Sequence, residues 1–366
     1  MADTALAVFR ESKRVRHRAD DARFRVRGWH PPTVADCLAA GNDNFVQLRL
    51  LAATLVIYAH CWPLGNSADV VEWVSRTWTV FAGTVAVDAF FFISGLLITM
   101  SYVRRASVRS FVRARALRIY PALVVCVVFC ALLGAAVTTL PLRAYFVAPR
   151  LYQFIVGNAS LARVRPHLPG VFATNRHARI VNGSLWTLPA ELQMYGYVAL
   201  LGVLGILRSK TRFACTLAVL LVLGTMARDR IHLVSLEAYE GFATYFAAGA
   251  GCWMFRDRVV VSGALLAMLI MLCVATRSTA AYPPVFAATI VYFCLWFAFV
   301  PRMGPLTGVG DYSYGLYLYG FPIQQLVAWR LPELGPWPLL LVSLPLAFVL
   351  AAASWHCVEK PALARK

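Results

Sequence analysis

Charged side chains are scarce in this sequence of 366 residues, and acidic side chains are the scarcest. Only 14% of the residues are charged, and Lys and Arg outnumber Asp and Glu by 35 to 17. An ordinary soluble domain carries about 25% charged residues. Because 60% of the residues are hydrophobic and the mean hydropathy is +0.65, the composition excludes an ordinary soluble domain and predicts a polytopic membrane protein.

Signals of several other protein classes are missing as well. The nine cysteines are scattered, and no Cys/His group has zinc-ligand spacing, so we expect neither a disulfide framework nor a bound metal. The net charge of +18 comes from basic residues clustered between apolar segments, which favours membrane topology and lipid contact over nucleic-acid binding. No apolar core lies within the first 30 residues, so no signal peptide is predicted.

Apolar segments repeat along the chain and predict an all-α, polytopic membrane bundle of about ten transmembrane helices. The predicted spans are 46–63, 80–102, 119–141, 186–207, 213–227, 241–255, 259–276, 284–300, 310–328 and 337–357. Residues 1–44 are predicted to form a basic cytoplasmic tail, and residues 45–361 the transmembrane domain. The positive-inside rule places both termini in the cytoplasm. The long outer loop 142–185 is itself basic, which leaves open a docking site for an acidic glycan.

Two ionisable residues interrupt the first apolar segment, residues 45–62. Arg49 lies one turn from its start and His60 lies near its end, so roughly 16 Å of helix separates them. A polar group in hydrocarbon is costly unless it is paired, which makes such residues functional candidates. In the structural alternative, Arg49 snorkels to the surface and His60 is a packing residue.

Further polar residues divide by predicted side. Asp88, Ser94 and Gly95 lie in the second span. Asp88 is expected to be a structural carboxylate that pairs with a neighbouring helix. Gly95 is expected to allow a helix or a ligand to approach closely. Glu191 follows a capped helix start and is placed in the outer half, where it gains from the helix dipole or orients His60.

Arginine at the inner edge suggests a phosphate site. Arg115 and Arg118 share a helix face where the third span enters the membrane, and guanidinium groups bind phosphate bidentately. Near the C-terminus, tyrosines including Tyr314 suit a cavity wall or an interfacial belt, and we favour the belt.

Six short pieces, in this order, resemble the acyltransferase-3 family of membrane-bound O-acyltransferases. They are Arg49 with His60 eleven positions later, VDAFFFISG in the second span, Arg115-x-x-Arg118, NGSLWTLPAE with Asn182 and Trp186, SYGLYLYGFP with Tyr314, and WHCVEKP at the end. The resemblance covers about residues 44 to 361. One departure is Gly320, where many members have a histidine.

The resemblance implies transfer of an acyl group, commonly acetyl, from cytoplasmic acyl-CoA to a hydroxyl of an extracytoplasmic glycan. It implies that His60 is the essential acid/base residue, that Glu191 supports it, and that Arg49, Arg115 and Arg118 bind the donor. It implies a multi-pass protein of a bacterial inner membrane in contact with lipid, with acetyl-CoA as substrate and no bound cofactor. Two alternatives remain from the residues alone: a transporter of a lipid-linked sugar or other solute, and a structural membrane protein.

Overall fold

The computed structural model describes residues 31–66, 71–105, 107–226, 237–301, 303 and 310–366. Within these ranges the chain forms helices and no β-strand, and its isolated bridges join Thr33 to Val260 and His167 to Ile180. The helices are α1 (Val34–Ala40), α2 (Phe45–Leu64), α3 (Trp73–Trp78), α4 (Ala82–Arg105), α5 (Val108–Val137), α6 (Leu142–Val147), α7 (Pro149–Ser160), α8 (Leu188–Val203), α9 (Lys210–Met226), α10 (Glu237–Met254), α11 (Gly263–Ala275), α12 (Tyr282–Phe299), α13 (Ser313–Arg330), α14 (Pro336–Ser354) and α15 (Lys360–Leu363). Short 3-10 turns lie at Leu185–Thr187 and Ile206–Arg208, and a π-helical turn, Trp355–Glu359, joins α14 to α15.

A helix lies at each of the ten predicted spans, but only some of these helices could cross a bilayer by length and composition. Among the described residues, five qualify: α2, α4, α5, α12 and the continuous segment Pro336–Leu363. The other five helices are too short or too polar for that criterion. The all-α membrane fold is therefore supported, whereas the number of spans and the side of each terminus stay predictions.

The predicted tail divides at about residue 31. Its arginine-rich part, residues 1–30, lies outside the described residues. The following segment is folded against the bundle: the backbone N–H of Val34 donates to the Val259 carbonyl at 2.9 Å, and the Asn44 side chain donates to the Phe297 carbonyl at 2.9 Å. Thr33 begins α1 with a capping box to Asp36.

Glycines bring α4 and α10 into backbone contact. A Cβ at Gly95 would collide with the carbonyl of Phe246, and a Cβ at Gly249 would collide with the carbonyl of Phe92. Small residues allow such close helix approach in membranes. Gly95 was expected to allow close approach of either a helix or a ligand, and the structure shows a helix, α10. This packing positions α4 beside the cavity described below.

Candidate active site

A cavity of about 870 Å³, counting the open space at its mouth, lies between α4, α5, α8 and α13. Its lining along α4 extends from Val87 to Ile98, which is roughly 16 Å of helix. The cavity is therefore elongated along α4. Tyr314 and Tyr317 of α13 also line the cavity. Of the two positions considered for the tyrosines, a cavity wall or an interfacial belt, these two occupy the cavity wall.

The end of the cavity lined by Arg49 and Arg118 holds a network of two arginines and two carboxylates. Arg49 and Arg118 both donate to Oδ2 of Asp311, at 2.8 and 2.7 Å. Arg118 also donates to Glu359 at 3.2 Å. Ser313 donates to the second oxygen of Asp311 at 2.6 Å. The network joins α2 and α5 to the start of α13 and the π-helical turn, so two predicted donor-binding arginines also hold the bundle together.

Sequence reasoning missed these two carboxylates as partners of the arginines. Asp311 immediately precedes the tyrosine-rich helix, and Glu359 stands in the final motif, but both lie about 200 or more residues from their partners in the chain. A scarcity of acidic residues was the available signal. With 17 Asp and Glu in the whole chain, any carboxylate beside an apolar helix was a candidate partner for a membrane arginine.

Arg115 differs from the other two arginines because it makes no ion pair within the described residues. Its guanidinium lies over the Tyr195 ring, 6.0 Å from the centroid, and its buried Nε has no hydrogen-bond partner in the part of the chain that the structure describes. Lys366 lies near it. Burial and the positive charges of Arg115, Arg118 and Arg105 lower the pKa of Lys366 to about 8. Excess positive charge therefore faces this mouth of the cavity.

Glu191 lies in the cavity and does not contact His60. Its carboxylate accepts hydrogen bonds from Ser94, at 3.4 Å, and from the Tyr195 hydroxyl. Gly83 of α4 faces Ala59, next to His60. Ser94 is eleven residues further along α4, so Glu191 lies roughly 16 Å deeper than the imidazole.

The sequence placed Glu191 in the outer half, level with His60, and the structure places it level with the arginines. The reason is that the chain turns down into the bundle before α8 begins. Asn182, within this descent, donates to the Leu318 carbonyl at 2.9 Å and is 1% exposed. Glu191 thus lines the cavity, and the interpretation in which it orients the imidazole has no contact between described residues to support it.

His60 is half-buried on α2 and packs against Phe321, with ring centroids 5.1 Å apart. Its Nδ1 is buried and has no hydrogen-bond partner among the described residues. His177 of the outer loop contacts the same phenylalanine at 6.3 Å. At Gly320, where a histidine is common in the resembling family, a Cβ would lie 2.7 Å from the Ile57 side chain, so this chain has no room there for a second imidazole.

The cavity ends about one helical turn short of His60, which does not line it. Thr187 and Tyr317 are hydrogen-bonded at 2.5 Å, and the Phe90 ring packs on Tyr317 at 5.7 Å. Phe321 follows Tyr317 by four residues, or roughly 6 Å along α13. Thr187, Tyr317 and Phe90 line the cavity toward its end nearer His60, and we call these three residues the closure.

The remaining predicted site residues have supporting positions. The Tyr245 hydroxyl donates to Asp88, which agrees with a structural carboxylate paired to a neighbouring helix. Trp186 is exposed and packs on Phe242 at 5.5 Å. Tyr314 donates to the Ile119 carbonyl at 3.1 Å and lies under Arg118. The described residues include no group of three or more His, Cys, Asp or Glu side chains that could hold a metal.

Comparison with known proteins decides the family. Residues 43–356 match the family described as an acyltransferase domain. The chain belongs to this acyltransferase-3 family. An O-acetyl transferase of Shigella phage Sf6 is 32% identical over 342 residues, which cover 88% of this chain and 97% of the relative. Nodulation protein 10 of Rhizobium leguminosarum bv. viciae is 30% identical over 360 residues, which cover 88% of this chain and 93% of the relative. No solved structure is significantly similar to the chain.

The family match includes most of the site just described. Arg49, His60, Arg115, Glu191 and the whole closure lie within the matched range of the acyltransferase, and Glu359 lies three residues beyond it. The six motifs that predicted the family thus occupy the walls of one cavity and its surroundings.

Proposed function

We propose that this acyltransferase moves an acetyl group from cytoplasmic acetyl-CoA to a hydroxyl of an extracytoplasmic glycan, as a multi-pass protein of a bacterial inner membrane. The observation that carries the proposal is the long cavity with arginines at one end and an imidazole just beyond the other. The name of the phage relative, an O-acetyl transferase, supports acetyl as the group transferred.

The donor fits the cavity by charge and by shape. Coenzyme A has an anionic phosphate head and a thin pantetheine arm. Arg115, which has no carboxylate partner in the described residues, binds a phosphate at the mouth, and Arg49 and Arg118 add charge next to it. The arm then follows α4 for roughly 16 Å, and the thioester arrives at the closure.

Opening of the closure brings the thioester to His60. The imidazole removes the proton of the glycan hydroxyl as the oxygen attacks the thioester carbonyl carbon. The carbon–sulfur bond then breaks, and the proton passes from the imidazolium to the departing thiolate, which leaves as coenzyme A. In the covalent variant, the imidazole nitrogen accepts the acetyl group first and the glycan oxygen accepts it second. Rapid-quench trapping of labelled acetyl-enzyme distinguishes the two routes.

The proposal is tested by the mass of the surface glycan in cells with and without the protein. We expect a gain of one or more acetyl groups per repeat only when the protein is present, with the label of cytoplasmic acetyl-CoA in the glycan. Movement of a sugar across the membrane without consumption of acetyl-CoA would indicate a transporter instead. Identical glycan spectra would refute the glycan as acceptor.

Arg115→Gln is expected to weaken donor binding with little change in stability. Hydrogen bonds to charged groups contribute about 1.5–3 kcal/mol, which corresponds to roughly 10- to 150-fold in affinity. Because Arg115 makes no ion pair in the described residues, its loss leaves no buried charge unpaired. The dissociation constant for acetyl-CoA, measured by calorimetry in detergent, should rise by that factor.

Arg109→Gln is the matched control for this variant, because Arg109 is exposed on the same helix and does not line the cavity. Equal donor affinity in Arg115→Gln and Arg109→Gln would show that the phosphates bind elsewhere.

A further inference from the structure

The outer loop next to His60 carries positive charge and no negative charge. Between Asp88 and Glu191 the sequence contains no Asp or Glu, and loop 142–185 contains six arginines. Three of its side chains, Arg176, His177 and Arg179, are exposed at the part of the loop that reaches His60. We call these three residues the rim.

The rim is attached to the bundle by a buried glutamine of α13. Gln325 donates to the carbonyls of His177 and Ile180, at 2.8 and 2.7 Å. It also accepts a 2.7 Å hydrogen bond from Asn175, and both amides are buried. This loop is therefore held in one conformation from within.

Backbone geometry also constrains the segment that carries the arginines. Phe172 and Arg179 both have positive φ, at 50° and 66°, and the Arg179 N–H donates to the Phe172 carbonyl at 2.9 Å. Residues other than glycine rarely adopt this conformation, which persists where surrounding contacts enforce it. Arg176 donates to the carbonyl of Gly65, five residues after His60, at 3.1 Å.

We propose that the rim binds an anionic group of the acceptor, so that the enzyme selects glycans with a negative charge close to the acylated hydroxyl. The inference rests on the proposed function, because it assigns the side of His60 that faces His177 to the acceptor. Guanidinium groups pair with carboxylate and phosphate through two parallel hydrogen bonds. A loop without acidic residues also attracts anions from beyond direct contact, over about a Debye length.

The anionic group of the acceptor has two possible sources: a carboxylate or phosphate on the sugar, and the diphosphate of a lipid-linked glycan. Both are presented next to sugar hydroxyls. The imidazoles of His177 and His60 contact the same Phe321 ring, so an anion bound at the rim places a neighbouring hydroxyl near His60.

The test measures binding by saturation-transfer NMR with the full chain in phosphatidylcholine nanodiscs. One pair of probes is p-nitrophenyl glucuronide against p-nitrophenyl glucoside, and the second is geranyl diphosphate-linked glucose against geranyl glucoside. We expect the anionic member of at least one pair to bind about tenfold more tightly. This preference should disappear in the double variant Arg176→Gln/Arg179→Gln and weaken at high salt.

Two further variants make the result specific. Arg176→Lys/Arg179→Lys keeps the charge and should keep most of the preference, which separates loss of charge from loss of fold. Arg143→Gln/Arg150→Gln removes two exposed charges from the same loop away from the rim and should leave the preference intact. The pair that shows the preference identifies the source of the anion.

Equal binding within both pairs, or an equal loss in the Arg143/Arg150 control, would overturn the rim as an anion site. The proposed function has its own readout, which is acetyl transfer from labelled acetyl-CoA. A protein that binds the anionic probes through the rim but transfers no acetyl group would refute the proposed function and retain the rim.

Discussion

His60→Asn is expected to lower kcat for acetyl transfer by about 10² to 10⁴, the usual contribution of a general acid–base residue. The KM for acetyl-CoA should change little, because His60 does not line the donor cavity and lies roughly one helical turn beyond its closed end. The measurement is the initial rate of label transfer from acetyl-CoA to glycan over a range of donor concentrations.

The control for this variant is His167→Asn, which removes an exposed imidazole from the same outer loop. It should retain wild-type kcat. If His60→Asn kept more than a tenth of kcat, or if it raised KM at constant kcat, His60 would be a packing or binding residue, and the mechanism would need another base.

Asp311→Asn is expected to destabilise the protein by about 3–5 kcal/mol, the cost of removing one partner from a buried charge network. The carboxylate joins Arg49 and Arg118 through one oxygen, and both arginines are largely buried. Its loss leaves Arg49 without an ion pair among the described residues, whereas Arg118 keeps Glu359. Unfolding in mixed micelles, followed by the rate of cysteine labelling, measures the change.

Two comparisons make this prediction specific. Asp257→Asn breaks an exposed ion pair with Lys210, and surface pairs of this kind contribute little, so its unfolding should match wild type. The double variant Asp311→Asn/Arg49→Met removes the orphaned charge and should recover part of the stability. If Asp311→Asn unfolded like Asp257→Asn, the network would have no structural role.

The helical segments were predictable because long apolar runs determine helices in a membrane, where the backbone must satisfy its own hydrogen bonds. A helix lies at each of the ten predicted segments. The number that cross the bilayer stays a prediction, since α11, for example, is a 13-residue helix in a longer apolar run. Length, tilt and partial penetration are decided by packing between helices, which a hydropathy pattern does not contain.

Within the site, residue type was easier to predict than depth. His60, Arg115 and Arg118 stood out because charged groups in apolar segments are rare. Glu191 was misplaced in depth because residues before α8 descend into the bundle, fastened by Asn182 to α13. That descent depends on contacts between segments more than 100 residues apart, so local sequence carries no trace of it.

The closure formed by Thr187, Tyr317 and Phe90 has a consequence for the cell beyond catalysis. A continuous aqueous passage from the arginines to the outer loop would let protons leak and dissipate the gradient that energises the membrane. Because the hydroxyl pair and the aromatic ring lie on the side of the cavity nearer His60, we expect the resting protein to leave the permeability barrier intact. Such an enzyme can be abundant in an energised membrane without a bioenergetic penalty.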